Sequence, residues 1–304
     1  MFKKFIIKKE EYIVVGPIIN KDTCTLCGKC VEICPKEILS LKNNAIEIVN
    51  DGCILCSHCY CVCKFNAIHF NELRQPSFSF GNTALIKDQI KPFDITSFIH
   101  SRRSIRRFKP NPISKEILYD LTEAAVLAPS ASNCQHWQFV AINGRDKVLT
   151  LAEDIKHFFI KLNNIAGNPL LRYLSILFAG KKIFNYYKNN YESVKLGLQR
   201  ANEGKDLLFH GAPCVIIIHS DMEGSMPVED AQYAAYNIAL VAHSMGLGSC
   251  FIGYASATLN SAHSIKQKLN IPKHNRVHAV LALGYPEAEF FKNALRKDYD
   301  VKIL

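Results

Sequence analysis

Eight of the twelve cysteines in this 304-residue chain fall into one spacing used twice. The first run is Cys24-x2-Cys27-x2-Cys30-x3-Cys34, followed by Pro35; the second is Cys53-x2-Cys56-x2-Cys59-x3-Cys63. Three thiolates separated by two residues wrap one corner of an iron–sulfur cube, and in paired runs of this kind each fourth cysteine serves the other cluster. The spacing predicts two [4Fe–4S] clusters, one on Cys24, Cys27, Cys30 and Cys63 and the other on Cys53, Cys56, Cys59 and Cys34. Structural zinc also uses paired C-x2-C knuckles, but it requires neither a third cysteine at the same interval nor a fourth three residues later. Single-electron transfer is the expected chemistry.

A second group of residues suits a phosphorylated ligand. In Ser101-Arg102-Arg103-Ser104-Ile105-Arg106-Arg107-Phe108, two arginine pairs flank a serine, a set of charge-assisted donors apt for a phosphate dianion. A solvated basic helix end has the same composition. About 20 residues on, Ala128-Pro129-Ser130-Ala131-Ser132-Asn133-Cys134-Gln135-His136-Trp137 combines small residues, which let the backbone approach a flat ring, with two amides that both donate and accept.

These residues need elements to place them. Between the cysteine runs, Ala45–Val49 alternates as a short strand, and Ala67–Phe70 is its counterpart after the second run, making an internal repeat of about 30 residues. Ile95–His100 and Glu116–Leu127 carry helical periodicity, as does Glu229–Met245; Phe139–Ile142, Val215–Ile218 and Val280–Tyr285 read as strands. Residues 73–93, punctuated by Pro76, Gly81 and Pro92, read as a linker. The expected domains are 1–72, a cluster-stapled module too small for a large core, and 94–304, with 156–200 an aromatic-rich insertion expected to be helical, either covering a bound ligand or adding subunit contacts.

The cysteine repeat resembles bacterial-type ferredoxin domains over residues 20–70, and RRSIRRF followed by APSASNCQHW resembles the nitroreductase family of FMN oxidoreductases over 94–300. Together they resemble ferredoxin–nitroreductase fusions. The resemblance implies an α+β fold: a small two-cluster domain, then a mostly antiparallel central sheet surrounded by helices, in a homodimer. It also implies FMN as cofactor, with Arg102, Arg103, Ser104 and Arg106 at the phosphate and its approach. Pro129, Ser130, Ala131, Asn133 and Gln135 would lie along the ring and ribityl chain, with Ile252 and Gly253 at the flavin N5 and O4 edge and Arg296 or Lys297 completing the phosphate site. Three departures stand out: Lys64 follows Cys63 where Pro35 follows Cys34, Cys61 is an extra thiol expected to be a buried bystander, and His136 replaces a common proline. It is either a tolerated turn residue or a titratable group beside the flavin. No acid–base dyad is required, because the flavin carries the chemistry.

The formal charge of +10 invites nucleic acid, but no basic stripe interleaved with aromatics is present, so none is expected. No apolar run has the length of a membrane span or a signal-peptide core, and crowded free thiols suit a reducing compartment, so a cytoplasmic protein is expected. The implied activity is reduction of an electron-poor small acceptor, such as a nitroaromatic or quinone, with ferredoxin or NAD(P)H as electron donor. An electron-transfer or redox-sensing protein whose partner is another protein is the alternative.

Overall fold

A computed structural model describes residues 16–81, 83 and 90–304. The N-terminal lysine-rich start and part of the 73–93 linker lie outside the described residues, as do the side chains of Phe178 and Ala179. The chain divides into two compact units: one runs up to Pro76 and includes Ser132–Cys134, and the other comprises Ser77–Ala131 and Gln135–Leu304.

The small unit is a twofold repeat. In chain order it has β1 (Ile18–Ile19), α1 (Lys29–Glu32), β2 (Leu39–Lys42), β3 (Ala45–Ile48), α2 (His58–Val62) and β4 (Ile68–His69). The pairs β1–β4 and β2–β3 are antiparallel. Backbone conformation repeats with the cysteines. Left-handed residues fall at Leu26, Gly28 and Glu37 in the first half and at Leu55, Ser57 and Asn66 in the second. Such conformations cost L-residues energy and mark tight turns that bring sequence neighbours round one centre. The core is small: Cys30, Leu39, Ile46, Cys59 and Ile68.

The large unit is built on a four-stranded antiparallel sheet. Its elements are α3 (Pro92–Ser101), α4 (Lys115–Ala125), a 3-10 turn at Ala131–Asn133, β5 (Gln138–Asn143), α5 (Arg145–Gly167), α6 (Pro169–Leu174), α7 (Ile176–Ala179), α8 (Lys182–Asn189), α9 (Tyr191–Asn202), β6 (Cys214–Ser220), α10 (Pro227–Ser244), β7 (Gly248–Phe251), α11 (Gly253–Ser261), α12 (His263–Lys268) and β8 (Arg276–Gly284). Strand order is β5-β6-β8-β7.

Successive strand residues point to opposite faces. In β6, Val215 and Ile217 therefore join α5 and α11 in one core, while Cys214, Ile216 and Ile218 join α4 and α10 in the other. Helices cover both faces, which is why β6 is apolar from Cys214 to Ile218 rather than alternating. Helix α4 is capped by Ser114, whose Oγ accepts from the Ile117 N–H at 3.3 Å.

The expected α+β architecture holds, with differences in detail. Strands β2 and β7 were not expected. Helix α5 begins at Arg145 and runs 23 residues into the insertion, which is helical throughout α6–α9. The apolar face of α10 is buried within the chain: Ala231, Ala234, Ala235, Ile238 and Ala242 pack in the core shared with α4 and the sheet.

Candidate functional site

The cysteines of the two runs line two small cavities in the small unit. One cavity is lined by Cys24, Cys27, Cys30 and Cys63, and a second by Cys34, Cys53, Cys56 and Cys59. In each half the fourth cysteine accepts an N–H four residues on: Ile38 N to Cys34 Sγ at 3.3 Å, and Ala67 N to Cys63 Sγ at 3.4 Å. Such bonds disperse sulfur charge and are among the protein's means of setting a cluster potential. Among the described residues no three cysteine, histidine or carboxylate side chains stand close enough for a single ion. Burial pushes the Cys59 thiol up to about 11, with nearby Cys53, Cys34 and Cys56 adding to the rise and a Tyr60 backbone bond opposing it. A bound cation is what would hold such crowded sulfurs deprotonated together. Cys61 lines neither cavity and is exposed, not buried as expected. On short α2 the buried position is Cys59, and a residue two places on turns away from it.

In the large unit the arginine segment is stitched to the sheet edge. Ser104 bridges Ser249 in parallel fashion, Ile105 N donates to Ser249 O at 2.9 Å, and Phe108 bridges Pro286. Two glycines permit this: a Cβ on Gly248 would collide with the Ile105 side chain, and one on Gly284 would lie 3.0 Å from Phe108 Cδ1. Arg102, Arg103, Gly248, Ser249 and His243 line a cavity of about 280 Å³. Arg102 Nε is buried and has no hydrogen-bond partner, a donor of the kind an anion would satisfy. Arg103 is spent on backbone carbonyls, donating to His100 O at 2.8 Å and Lys292 O at 2.7 Å. Ser101 Oγ and His243 Nε2 are 2.7 Å apart; burial and then Arg102 and Arg103 hold His243 below the ordinary histidine range.

Arg106 is exposed and does not line that cavity, but its charge lowers His210 after burial has done so. Arg107 pairs with Glu287 at 2.9 Å. Arg296 bonds its own neighbour's carbonyl, Leu295 O, and does not line the arginine cavity.

The remaining expected residues occupy two settings. Ser130 Oγ accepts from Gln135 N at 3.1 Å, and Ala131 N donates to Asp230 at 3.0 Å, so this turn is tied to α10. Pro129 is exposed. Asn133 groups with the small unit, donating from Nδ2 to Ile54 O at 3.1 Å and Leu55 O at 2.9 Å, inside the Cys53–Cys56 interval. Ile252 is buried with its N–H on Val280 O at 2.8 Å, and Gly253 opens α11. His136 Nδ1 lies 3.3 Å from Asp221 Oδ1. Sequence reasoning overlooked His243 and Asp230; a histidine and an aspartate in an Ala-rich helix gave no local signal.

The profile described as "Nitroreductase family" matches residues 99–285, and that described as "4Fe-4S binding domain" matches residues 17–40. The chain is 26% identical over 195 residues to an "NADPH-dependent oxidoreductase" of Staphylococcus saprophyticus, covering 64% of this chain and 65% of that protein. It is 25% identical over 220 residues to a "4-nitrobenzoate reductase" of Pseudomonas putida, covering 67% of this chain and 90% of that one. Among solved structures, a nitroreductase with bound FMN from Bacteroides fragilis aligns with TM-score 0.52 and 20% identity, over 69% of this chain and 98% of that chain. That likeness is one of fold.

Proposed function

The chain belongs to the nitroreductase family, and from that premise we propose an FMN-dependent oxidoreductase that takes electrons from an external donor through two [4Fe–4S] clusters to FMN and on to an electron-poor small acceptor, a nitroaromatic or a quinone. The observation that supports this reading is that two cavities are each lined by four cysteines, three from one run and the fourth from the other, in a chain that also has a cationic cavity with an unsatisfied arginine donor. Bound FMN would supply two-electron chemistry and the clusters one-electron transfer.

This chain's residues supply the rest. Arg102, with Ser104 on the same sheet-edge segment, is placed to hold the phosphate; Arg103 braces the segment, and Arg106 adds positive potential. Pro129, Ser130, Ala131 and Gln135 are the residues assigned to the ring and ribityl chain, together with Asn133. Ile252 and Gly253 present backbone to the reactive edge. Residues 1–72 and 94–304 are the two functional domains, joined by 73–93. A homodimer is favoured by the exposed apolar side chains of Phe291, Leu295, Tyr299 and Ile303, which a second copy would cover. Reduced thiols favour a cytoplasmic setting.

Anaerobic reconstitution tests the cofactor content and turnover together. The reading predicts about eight irons and one FMN per chain and reduction of a nitroaromatic with reduced ferredoxin or NAD(P)H. Zinc in place of iron, or no flavin retained by Arg102-intact protein, would contradict it.

A further inference from the structure

Helices α6 and α7 run on from one another. Ser175 between them holds helical angles (φ −63°, ψ −17°) and donates its N–H to Leu171 O at 2.9 Å, so residues 169–179 are one stretch of helix. Leu170, Tyr173, Leu174 and Leu177 stand at the i, i+3, i+4 and i+7 spacing that puts them on one helix face. That face looks to solvent. Leu177 is 77% exposed, Tyr173 68% and Leu170 67%, and Leu171, Leu174 and Ile176 are exposed as well. The preceding helix is the reverse, with Val148, Leu151, Ile155 and Phe159 of α5 buried. An apolar stripe left to solvent marks an interaction surface.

Charge narrows what that surface meets. From 155 to 191 the sequence has no aspartate or glutamate, but it has Lys156, Lys161, Arg172, Lys181, Lys182 and Lys188. Lys156 pairs back to Glu153. Arg172 braces the helices, its guanidinium lying over the Tyr187 ring at 3.8 Å and its Nη1 donating to Ala166 O at 3.0 Å. Lys161, Lys181, Lys182 and Lys188 are exposed and have no ion-pair partner among the described residues. A second copy of this chain is a poor occupant, because a twofold contact here would set these lysines against their own equivalents. An anionic bilayer supplies both complements: an acyl boundary for the leucines and tyrosine, and negative headgroups for the lysines. Among the described residues no helix is long and apolar enough to cross a membrane, so the fitting mode is to lie in the surface plane.

We propose that α6–α8 is a membrane-surface anchor, whatever reaction the chain catalyses. Leu170, Tyr173, Leu174 and Leu177 enter the headgroup–acyl boundary of an anionic bilayer, and Lys181, Lys182 and Lys188 meet its lipid phosphates.

The test is flotation of the reconstituted full chain with vesicles, either pure phosphatidylcholine or the same lipid with about three parts in ten phosphatidylglycerol. Wild type should bind the mixed vesicles at least about tenfold more tightly than the neutral ones, and added salt should weaken that binding. Lys181→Gln/Lys182→Gln should weaken binding to the mixed vesicles by about thirtyfold. Leu170→Ser/Leu177→Ser should weaken it by at least about tenfold. Because both leucines are exposed, thermal unfolding of that variant should match wild type. Failure of wild type to float with the mixed vesicles would overturn the proposal, as would flotation that both variants leave unchanged. Without vesicle binding, a leucine variant that loses self-association would assign the face to a second copy. One that instead loses affinity for reduced ferredoxin would assign it to an acidic protein.

Discussion

Two of the five residues buried in the core of the small unit, Cys30 and Cys59, are themselves cluster-ligand candidates. Ile33, Leu41, Ile48 and Phe65 are meanwhile left exposed. In the large unit Val215, Ile216, Ile217 and Ile218 are wholly buried in consecutive positions, because helices cover both faces of their strand. A domain of about 60 residues buries so small a share of its apolar surface that its stability is marginal, and cross-links or metals add to it. The contrast assigns order in one unit to whatever the cysteines would bind, and in the other to side-chain packing. The same contrast divides their chemistry, since the thiols that would carry electrons also staple their own fold.

Iron removal gives the largest expected effect. Chelation should abolish amide protection in β2 and β3 while leaving that of β6 and β8 intact, read by hydrogen exchange. Protection of β2 and β3 that survives chelation would break the comparison. On the other side, Ile217→Ala should cost the large unit about 3–4 kcal/mol, followed by urea unfolding through the single tryptophan, buried Trp137. The iron–sulfur absorption should persist at urea concentrations that unfold the mutant sheet.

Acid should also act on the large unit. His219 is 3% exposed, and burial, with His278 and Lys266, lowers its pKa from 6.5 to about 4. The unfolded chain then binds the proton more readily, so stability is complete above the unfolded value and falls as pH drops from 6.5 toward 4, by about 3 kcal/mol in all. His219→Gln should flatten that pH profile. The smallest effect compares the two repeats: Ser57 holds φ 57° where the first run has Gly28 at φ 74°. Ser57→Gly should raise resistance of the iron–sulfur absorption to urea by about 1 kcal/mol, offset in part by loss of the Ser57 Oγ bond to Cys56 O.

The cysteine sites were legible because their signal is local: four positions within eleven residues, repeated at an offset of 29, with turns set by the chain itself. The apolar run in β6 was legible for the same reason. Strand β7 was not, because Gly248-Ser249-Cys250-Phe251 is too short to show alternation and gains its order from β8 and the arginine segment. The arginine segment reads from sequence as a candidate anion site, but the division within it does not, where Arg102 keeps a free donor and Arg103 spends its own on Lys292. Nor does a cavity between α5 and α9, whose walls come from residues as far apart as Arg145 and Tyr254. The exposure of Cys61 depends on the helical phase of a five-residue helix, which spacing alone does not set.

Anaerobic stopped-flow absorbance on the reconstituted protein, mixed separately with reduced ferredoxin and with NAD(P)H, tests the central claim most directly. The account predicts that ferredoxin bleaches the iron–sulfur absorption first and the flavin after it. Flavin bleaching by NAD(P)H ahead of the clusters, with ferredoxin inert, would contradict it.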